Sequence, residues 1–223
     1  MAVDAVLFDL DETLVSYDRP SSAVLAAAFE SVGVDPFFEV ADFQARYETF
    51  LPESESIDHL RELIFADIAA EADRSPALGR RIAAEYAEER DHGRVSLLPG
   101  AEALLEELAD RPLGLVTNGD PEMQRPKLDA TGLGRRFDTI VYAGHDTASK
   151  PDPEPFQRAL SDLDVRASRG AFVGNDPIAD VDGAHEVGMR PVWIRNGAEG
   201  APSAEPAETI DCLDELQDTW IVR

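Results

Sequence analysis

The hydrophobic pattern of the chain changes character twice. A continuous apolar run, Ala5-Val6-Leu7-Phe8, lies near the N-terminus and reads as a fully buried strand. From Ser21 to about Arg94 the rhythm is helical: Val24, Leu25, Ala28, Phe29 and Val32 recur on one face, and Gly33 is a stop. The same spacing predicts a second helix from Pro36 through Phe37, Val40, Phe43 and Tyr47 to Leu51-Pro52. A third carries Leu60, Leu63, Ile64 and Ile68, and a fourth runs from Pro76 through Leu78, Ile82, Ala83 and Tyr86. Four helices with short loops predict a small bundle of roughly 75 residues, inserted after the first strand.

From Leu97-Leu98-Pro99-Gly100 onward, helices and strands alternate. A helix over 101–109 precedes the apolar run Leu113-Gly114-Leu115-Val116, which ends in Thr117-Asn118-Gly119. A helix over 121–131 follows, with Pro121 in its first turn. Then come strand Thr139-Ile140-Val141-Tyr142, a loop to Lys150-Pro151, and a helix over 153–162. Strand Ala171-Phe172-Val173 ends in Gly174-Asn175-Asp176; a helix over 178–187 and strand Pro191-Val192-Trp193-Ile194 follow. A loop over 197–207, a short element at Thr209-Ile210 and a helix over 212–218 finish the chain. The alternation predicts an α/β fold, a Rossmann-like doubly wound and mostly parallel sheet with helices on both faces, interrupted by an α-helical bundle. The predicted division is a core of residues 1–15 and 96–223 and a helical domain over 16–95.

In such folds ligands bind outside the carboxyl ends of the strands. Asp9 and Asp11 follow the first strand with only Leu10 between them. In an extended chain residues two apart point to the same side, so the two carboxylates sit close together. Like charges that close are costly unless a cation or a shared proton compensates them, and oxygen donors suit Mg²⁺. On this stretch alone, an acidic turn ending a strand is the plain alternative. The other strand ends are polar as well: Thr117 and Asn118 after the second, Lys150 in the loop after the third, and Asn175, Asp176 and Asp180 after the fourth.

Composition adds the solvent and removes some partners. Of 223 residues, 43% are hydrophobic, enough for a packed core, and no run reaches membrane-spanning length. Asp and Glu number 45 against 20 Lys and Arg, a formal net charge of −25, which repels nucleic acid and anionic membranes. Lys127 and Lys150 are the only lysines, and a dense carboxylate surface without lysine resembles proteins of salt-accumulating halophiles, where salt screens the self-repulsion. Cys212 is the single cysteine, and no basic segment precedes Val3. Together these predict a reducing cytoplasm and no signal peptide. Acidic residues are abundant here, so each candidate Asp needs support beyond its charge.

The strand-end set contains paired carboxylates, a hydroxyl, a lysine and a second acidic cluster, without a Gly-rich phosphate loop or a cysteine nucleophile. A carboxylate can act as a covalent nucleophile towards phosphorus. Phosphoryl transfer then needs charge neutralisation and in-line positioning, which Mg²⁺, Lys150 and Thr117 would supply around the phosphoryl group.

Asp9-Leu10-Asp11-Glu12-Thr13 resembles the DxDxT motif of the haloacid dehalogenase-like hydrolase superfamily. Val116-Thr117-Asn118-Gly119, Lys150-Pro151-Asp152-Pro153 and Gly174-Asn175-Asp176-Pro177-Ile178-Ala179-Asp180 resemble its second, third and fourth motifs, and the helical insert resembles the family's C1-type cap. The resemblance implies a phosphatase acting on a small phosphate ester with Mg²⁺. Asp9 would be nucleophile and metal ligand. Asp11 would be general acid and then base, with its backbone carbonyl on the metal. Thr117 and Asn118 would bind the phosphoryl oxygens, and Lys150 would neutralise the nucleophile and the transferring group. In the fourth motif, charge favours Asp176 as metal ligand and register favours Asn175, while Asp180 would orient a metal-bound water or Lys150.

True dehalogenases of the superfamily attack carbon, need no Mg²⁺ and typically lack the second Asp, so Asp11 favours phosphotransfer. No lysine lies between residues 15 and 95, which argues against Schiff-base phosphonate cleavage. A sugar-phosphate mutase and a non-catalytic binding protein are the other readings. The cap would close over the site and set specificity. Arg19, Arg46, Arg90 and Arg94 are candidates to reach an anionic substrate, each with a surface ion pair as the plainer role, and His145 lies in the loop before Lys150.

Overall fold

The first apolar run forms β1 (Ala5–Phe8), a strand buried on both faces at the middle of a parallel sheet. The computed structural model describes residues 3–196, 200–217 and 219–222. After β1 come β2 (Val15–Tyr17) and the helices α1 (Ser21–Val32), α2 (Val40–Gln44), α3 (Tyr47–Phe50), α4 (Ile57–Glu71) and α5 (Pro76–Glu89). Strand β3 (Val95–Leu97) and helix α6 (Ala101–Glu107) precede β4 (Leu113–Asn118), α7 (Pro121–Thr131) and β5 (Thr139–Ala143). The chain then runs through α8 (Pro153–Asp162), β6 (Gly170–Gly174), a π-helical segment at Pro177–Asp182 and α9 (Gly183–Glu186). It ends in β7 (Arg190–Ile194), β8 (Glu208–Ile210) and a 3₁₀ turn at Leu213–Leu216.

Six strands pair in the order β5-β4-β1-β6-β7-β8, every pairing parallel. This is the doubly wound α/β sheet that the alternation predicts. The chain builds outward from β1 through β4 to β5, then returns to the other side of β1 and builds through β6 to β8. The order therefore reverses between β1 and β6, where open α/β sheets bind ligands. Successive residues of β1 serve opposite cores, as period-two geometry requires. Val6 and Phe8 pack with Leu104, Leu115 and Val173, whereas Ala5 and Leu7 pack with Val116, Phe156 and Phe172.

By contact density the chain divides into two compact units, Met1–Tyr17 with His92–Arg223, and Asp18–Asp91. The first contains β2 and β3, an antiparallel pair with Val15 opposite Leu97 and Tyr17 opposite Val95. These strands are three residues each, too short to show as a pattern.

The second unit is helical, with its own core. Phe38 and Phe65 meet edge to face at 4.8 Å, and Phe65 also meets Tyr86 at 6.0 Å. The second helix does not begin at Pro36. Residues 34–39 run without helix, and the neighbouring rings of Phe37 and Phe38 both pack on Phe29, at 5.4 and 5.0 Å. Helix starts only at Val40, where Glu39 and Asp42 form a capping box. A further departure lies after β6: the segment expected as one helix over 178–187 opens with the π-helical turn and becomes α-helical only at Gly183. Residues 197–199 of the expected loop and residue 218 of the expected last helix lie outside the described residues.

Candidate active site

Asp9 is the first residue past β1, and its N–H still donates to the Val173 carbonyl of β6 at 2.9 Å. The sheet thus fixes its backbone at the carboxyl edge, and the residue is 7% exposed. Lys150, in the loop between β5 and α8, is also buried. Its Nζ donates to Asp9 Oδ1 at 2.8 Å and to Asp180 Oδ1 at 2.6 Å. Asp180 is buried on the π-helical segment, and its Oδ2 accepts the Asp176 N–H at 2.9 Å. Gly174 makes this approach possible: a Cβ there would lie 2.4 Å from the Asp180 carboxyl carbon.

One buried cation therefore serves two buried carboxylates, leaving one negative charge uncompensated. Burial pushes the Asp9 carboxyl up to about 7; the Lys150 ammonium opposes the rise and the Asp180 charge reinforces it. Burial alone would lower Lys150, but Asp180 and Asp9 outweigh it and hold the ammonium above its usual value.

The β4 end supplies two more groups. Thr117 is buried, and its Oγ1 accepts from Gln124 Nε2 at 2.9 Å. Asn118 clamps the backbone of Lys150: its Oδ1 accepts the Lys150 N–H at 2.9 Å and its Nδ2 donates to the Lys150 carbonyl at 3.1 Å. The amide of Asn118 thus aims the lysine loop.

The Asp11 carboxylate is held by side chains of α7. Lys127 Nζ lies 2.7 Å from both Oδ1 and Oδ2 of Asp11, and Gln124 Nε2 lies 3.0 Å from Oδ2. Gln124 and Lys127 are one helical turn apart, so α7 presents them on one face. Neither was expected from the sequence. The available signal is the scarcity of lysine, since Lys127 and Lys150 are the only two in the chain.

The fourth cluster divides its labour. Asp176 is exposed, and its Oδ1 caps the π-helical segment by accepting from the N–H groups of Ile178 and Ala179, both at 2.8 Å. Asn175 is half-buried and turned towards the first loop, where its Oδ1 accepts from Thr13 Oγ1 at 3.3 Å. Its carbonyl accepts the Trp193 indole N–H at 3.0 Å. Among the described residues no three His, Cys, Asp or Glu side chains are grouped to hold a metal ion. A metal here would rest on mixed oxygen donors, carboxylate, amide and backbone carbonyl.

Three of the four arginines expected to reach a substrate are engaged with neighbours, and Arg94 is exposed. Arg19 pairs with Glu89 at 2.6 Å, Arg46 with Asp67 at 3.2 Å, and Arg90 donates to the Arg19 carbonyl at 3.2 Å. His145 is exposed and lies 3.0 Å from Asp146. Among the described residues no helix is long and apolar enough to cross a membrane.

Known proteins place this architecture. The model of the haloacid dehalogenase-like hydrolases matches residues 3–188. The chain is 34% identical to a phosphoserine phosphatase of Thermus thermophilus, over 95% of this chain and 96% of the relative. It is 33% identical to a ribulose-1,5-bisphosphate 5-phosphatase of Halopiger xanaduensis, over 96% and 98%. Among solved structures, a 2-haloacid dehalogenase from Pseudomonas syringae superposes with a TM-score of 0.67 at 29% identity, over 97% of both chains. With its motif residues at the carboxyl edge of a β5-β4-β1-β6-β7-β8 sheet, the chain belongs to the haloacid dehalogenase-like hydrolase family.

Proposed function

We propose that the protein is a Mg²⁺-dependent phosphatase that hydrolyses a small phosphorylated metabolite through an aspartyl-phosphate on Asp9. The observation that carries this reading is the buried lysine bridge, with Lys150 held between Asp9 and Asp180 at 2.8 and 2.6 Å. It sets a carboxylate and a fixed cation side by side at the strand edge where the sheet order reverses. The full-length likeness to two relatives named as phosphatases of small phosphate esters supports the same class.

The donor set fits a hard divalent cation. Every candidate ligand is an oxygen, and the Asp9, Asp180 and Lys150 cluster is one positive charge short. Asp9, the backbone carbonyl of Asp11 and the side-chain oxygen of Asn175 would hold the ion. Asn175 is preferred to Asp176 because its half-buried amide is turned towards the loop of Asp9 and Asp11, where its Oδ1 accepts one 3.3 Å bond from Thr13, whereas Asp176 is exposed and its Oδ1 caps the π-helical segment. When bound, Mg²⁺ would supply the positive charge that lets a carboxylate meet a phosphoryl group.

The chain's own groups then divide the reaction. Asp9 attacks phosphorus as the bond to the leaving oxygen breaks, and Asp11 gives that oxygen its proton. Water next attacks the phosphorus of the aspartyl-phosphate. Asp11 takes the proton, phosphate departs and the Asp9 carboxylate is restored. Lys150 offsets charge on Asp9 throughout, and the Thr117 hydroxyl binds a phosphoryl oxygen. Asn118 serves by fixing Lys150. The unit at Asp18–Asp91 is the substrate-selecting cap. The acidic, lysine-poor composition supports a cytoplasm of high salt as the working solvent.

A panel of small phosphate monoesters, assayed with Mg²⁺ at high salt, tests the reading. Wild type should turn over at least one ester, EDTA should abolish that turnover, and Asp9→Asn should be inactive. Equal inactivity of wild type and Asp9→Asn across the panel would overturn it. Turnover that persisted in EDTA would remove the metal, and chloride release from a 2-haloacid would move the chemistry to carbon.

A further inference from the structure

Lys127 is a buried charge that the reaction above leaves without a task. It is 1% exposed on α7, with its Nζ equidistant from the two oxygens of Asp11 and 4.7 Å from the centre of the Tyr17 ring. Gln124, one turn earlier and equally buried, ties Asp11 Oδ2 to Thr117 Oγ1 and to the Asn118 carbonyl. Asp11 itself keeps about a third of its side chain open, at 36%. Its carboxylate is therefore gripped from the α7 side by two donors and open elsewhere.

Stability alone does not account for such a grip. Burying an ammonium costs several kcal/mol before its partner repays any of it, and an apolar side chain of similar volume is commonly as stable or better. In a chain with 20 basic residues only two are lysines, and each of the two contacts one member of the Asp9 and Asp11 pair. An arginine would also hold both oxygens, but with a longer, planar fork, and so would set the carboxylate at a different place from the single ammonium that sits between them here.

We infer that Lys127, assisted by Gln124, is the positioning residue for Asp11: it fixes the plane and reach of the carboxylate that exchanges the proton in phosphoryl transfer. The inference rests on the phosphatase reading. A proton-transfer group must lie within hydrogen-bond reach of the reacting oxygen, and an aspartate swinging freely about χ1 spends little time there. A misplacement of about 1 Å costs on the order of 100-fold in rate. Lys127 directs its buried ammonium to Asp11, so its effect on the reaction would pass through Asp11.

The test combines Lys127→Met with Asp11→Asn, using an alkyl phosphate, whose leaving oxygen needs a proton, and an aryl phosphate, whose leaving oxygen needs little help. Lys127→Met should lower kcat/KM on the alkyl ester by roughly 10- to 100-fold and on the aryl ester less, because kcat/KM reports the transfer to Asp9, while kcat should fall with both esters because Asp11 also activates the water. In the Asp11→Asn background, read with the aryl ester, Lys127→Met should cost nothing further. Lys127→Arg, which keeps the charge but not the geometry, should fall between the two and serves if the Met variant does not fold. Wild-type kcat in Lys127→Met, or a full multiplicative loss on top of Asp11→Asn, would overturn the inference while an inactive Asp9→Asn left the phosphatase reading standing. Equal inactivity of wild type and Asp9→Asn would bring down both.

Discussion

Each of the two lysines meets a motif carboxylate, yet they are built differently. Around Lys150 the side chains of Lys150, Asp9 and Asp180 are 1%, 10% and 2% exposed, and one cation faces two anions. Around Lys127 the lysine is 1% exposed but its single partner, Asp11, is 36% exposed. The first centre is dry and carries surplus negative charge. The second is balanced, with one side in solvent. A dry, undercompensated centre invites a further cation and suits a nucleophile held in place. A balanced, half-open one suits a group that must exchange protons with substrate and water. The difference in burial thus parallels the difference in role proposed for Asp9 and Asp11.

Removing the lysines one at a time should break that comparison if it is wrong. Lys150→Met strands two buried carboxylates, so it should cost about 3–5 kcal/mol in stability, the usual result of removing one partner of a buried pair. It should also remove nearly all activity, by ~10⁴-fold or more, as expected when a group acting as a unit with the proposed nucleophile is lost. Lys127→Met should destabilise less, since Asp11 regains water. Chemical denaturation of both variants in EDTA gives the ranking, and equal losses would show that the two centres are energetically alike.

Gly174→Ala sharpens the comparison without touching a charge. The added methyl would lie 2.4 Å from the Asp180 carboxyl, so that carboxylate has to move or the strand end must shift. Overpacking of this kind costs about 1–3 kcal/mol. Activity should fall as well, because Asp180 fixes Lys150, while the Lys127 and Asp11 pair on α7 should be undisturbed. A variant with lower stability but wild-type kcat would show that the position of Asp180 is not critical to Lys150.

The Lys150 centre was legible in the sequence because Asp9 ends an apolar run and Lys150 stands just before a helix, while Asp180 belongs to the acidic cluster that follows β6. Buried parallel strands advertise themselves as continuous hydrophobic stretches, and the residue after such a stretch falls at the ligand edge. Asp9, Thr117 and Asn175 follow that pattern directly. The Lys127 centre was not legible by that rule, because Gln124 and Lys127 lie inside a connecting helix, where side chains ordinarily cover the sheet. Lys127 carries the same signal as Lys150, a lysine kept in a chain that otherwise uses arginine. Register was the weak point elsewhere. Adjacent residues Asn175 and Asp176 point different ways, and only the π-helical turn decides that Asp176 becomes its cap. In the helical unit, periodicity found α1, α4 and α5 but ran the second helix too early, since Phe37 and Phe38 side by side are apolar in any register.

An exposed pair supplies the baseline for both buried centres, and the smallest expected effect. Asp4 and Arg169 join the start of β1 to the turn before β6 by two hydrogen bonds, with 50% and 40% of their side chains exposed. The Arg169 guanidinium holds the Asp4 carboxyl below its usual value. A carboxyl depressed in the folded state contributes stability that is present above its unfolded value, near 3.8, and is lost as pH falls through the folded value. Asp4→Asn should therefore leave stability near neutral pH almost unchanged, because exposed pairs contribute little and high salt screens them further. Its acid-unfolding curve should be shallower than that of wild type below about pH 4, where the native carboxyl of Asp4 gains its proton. Denaturant midpoints across that range, at low and high salt, would measure it. A loss near neutral pH as large as that of Lys150→Met would mean that solvent exposure does not separate the two kinds of pair. The contrast between the buried centres would then need another cause than water.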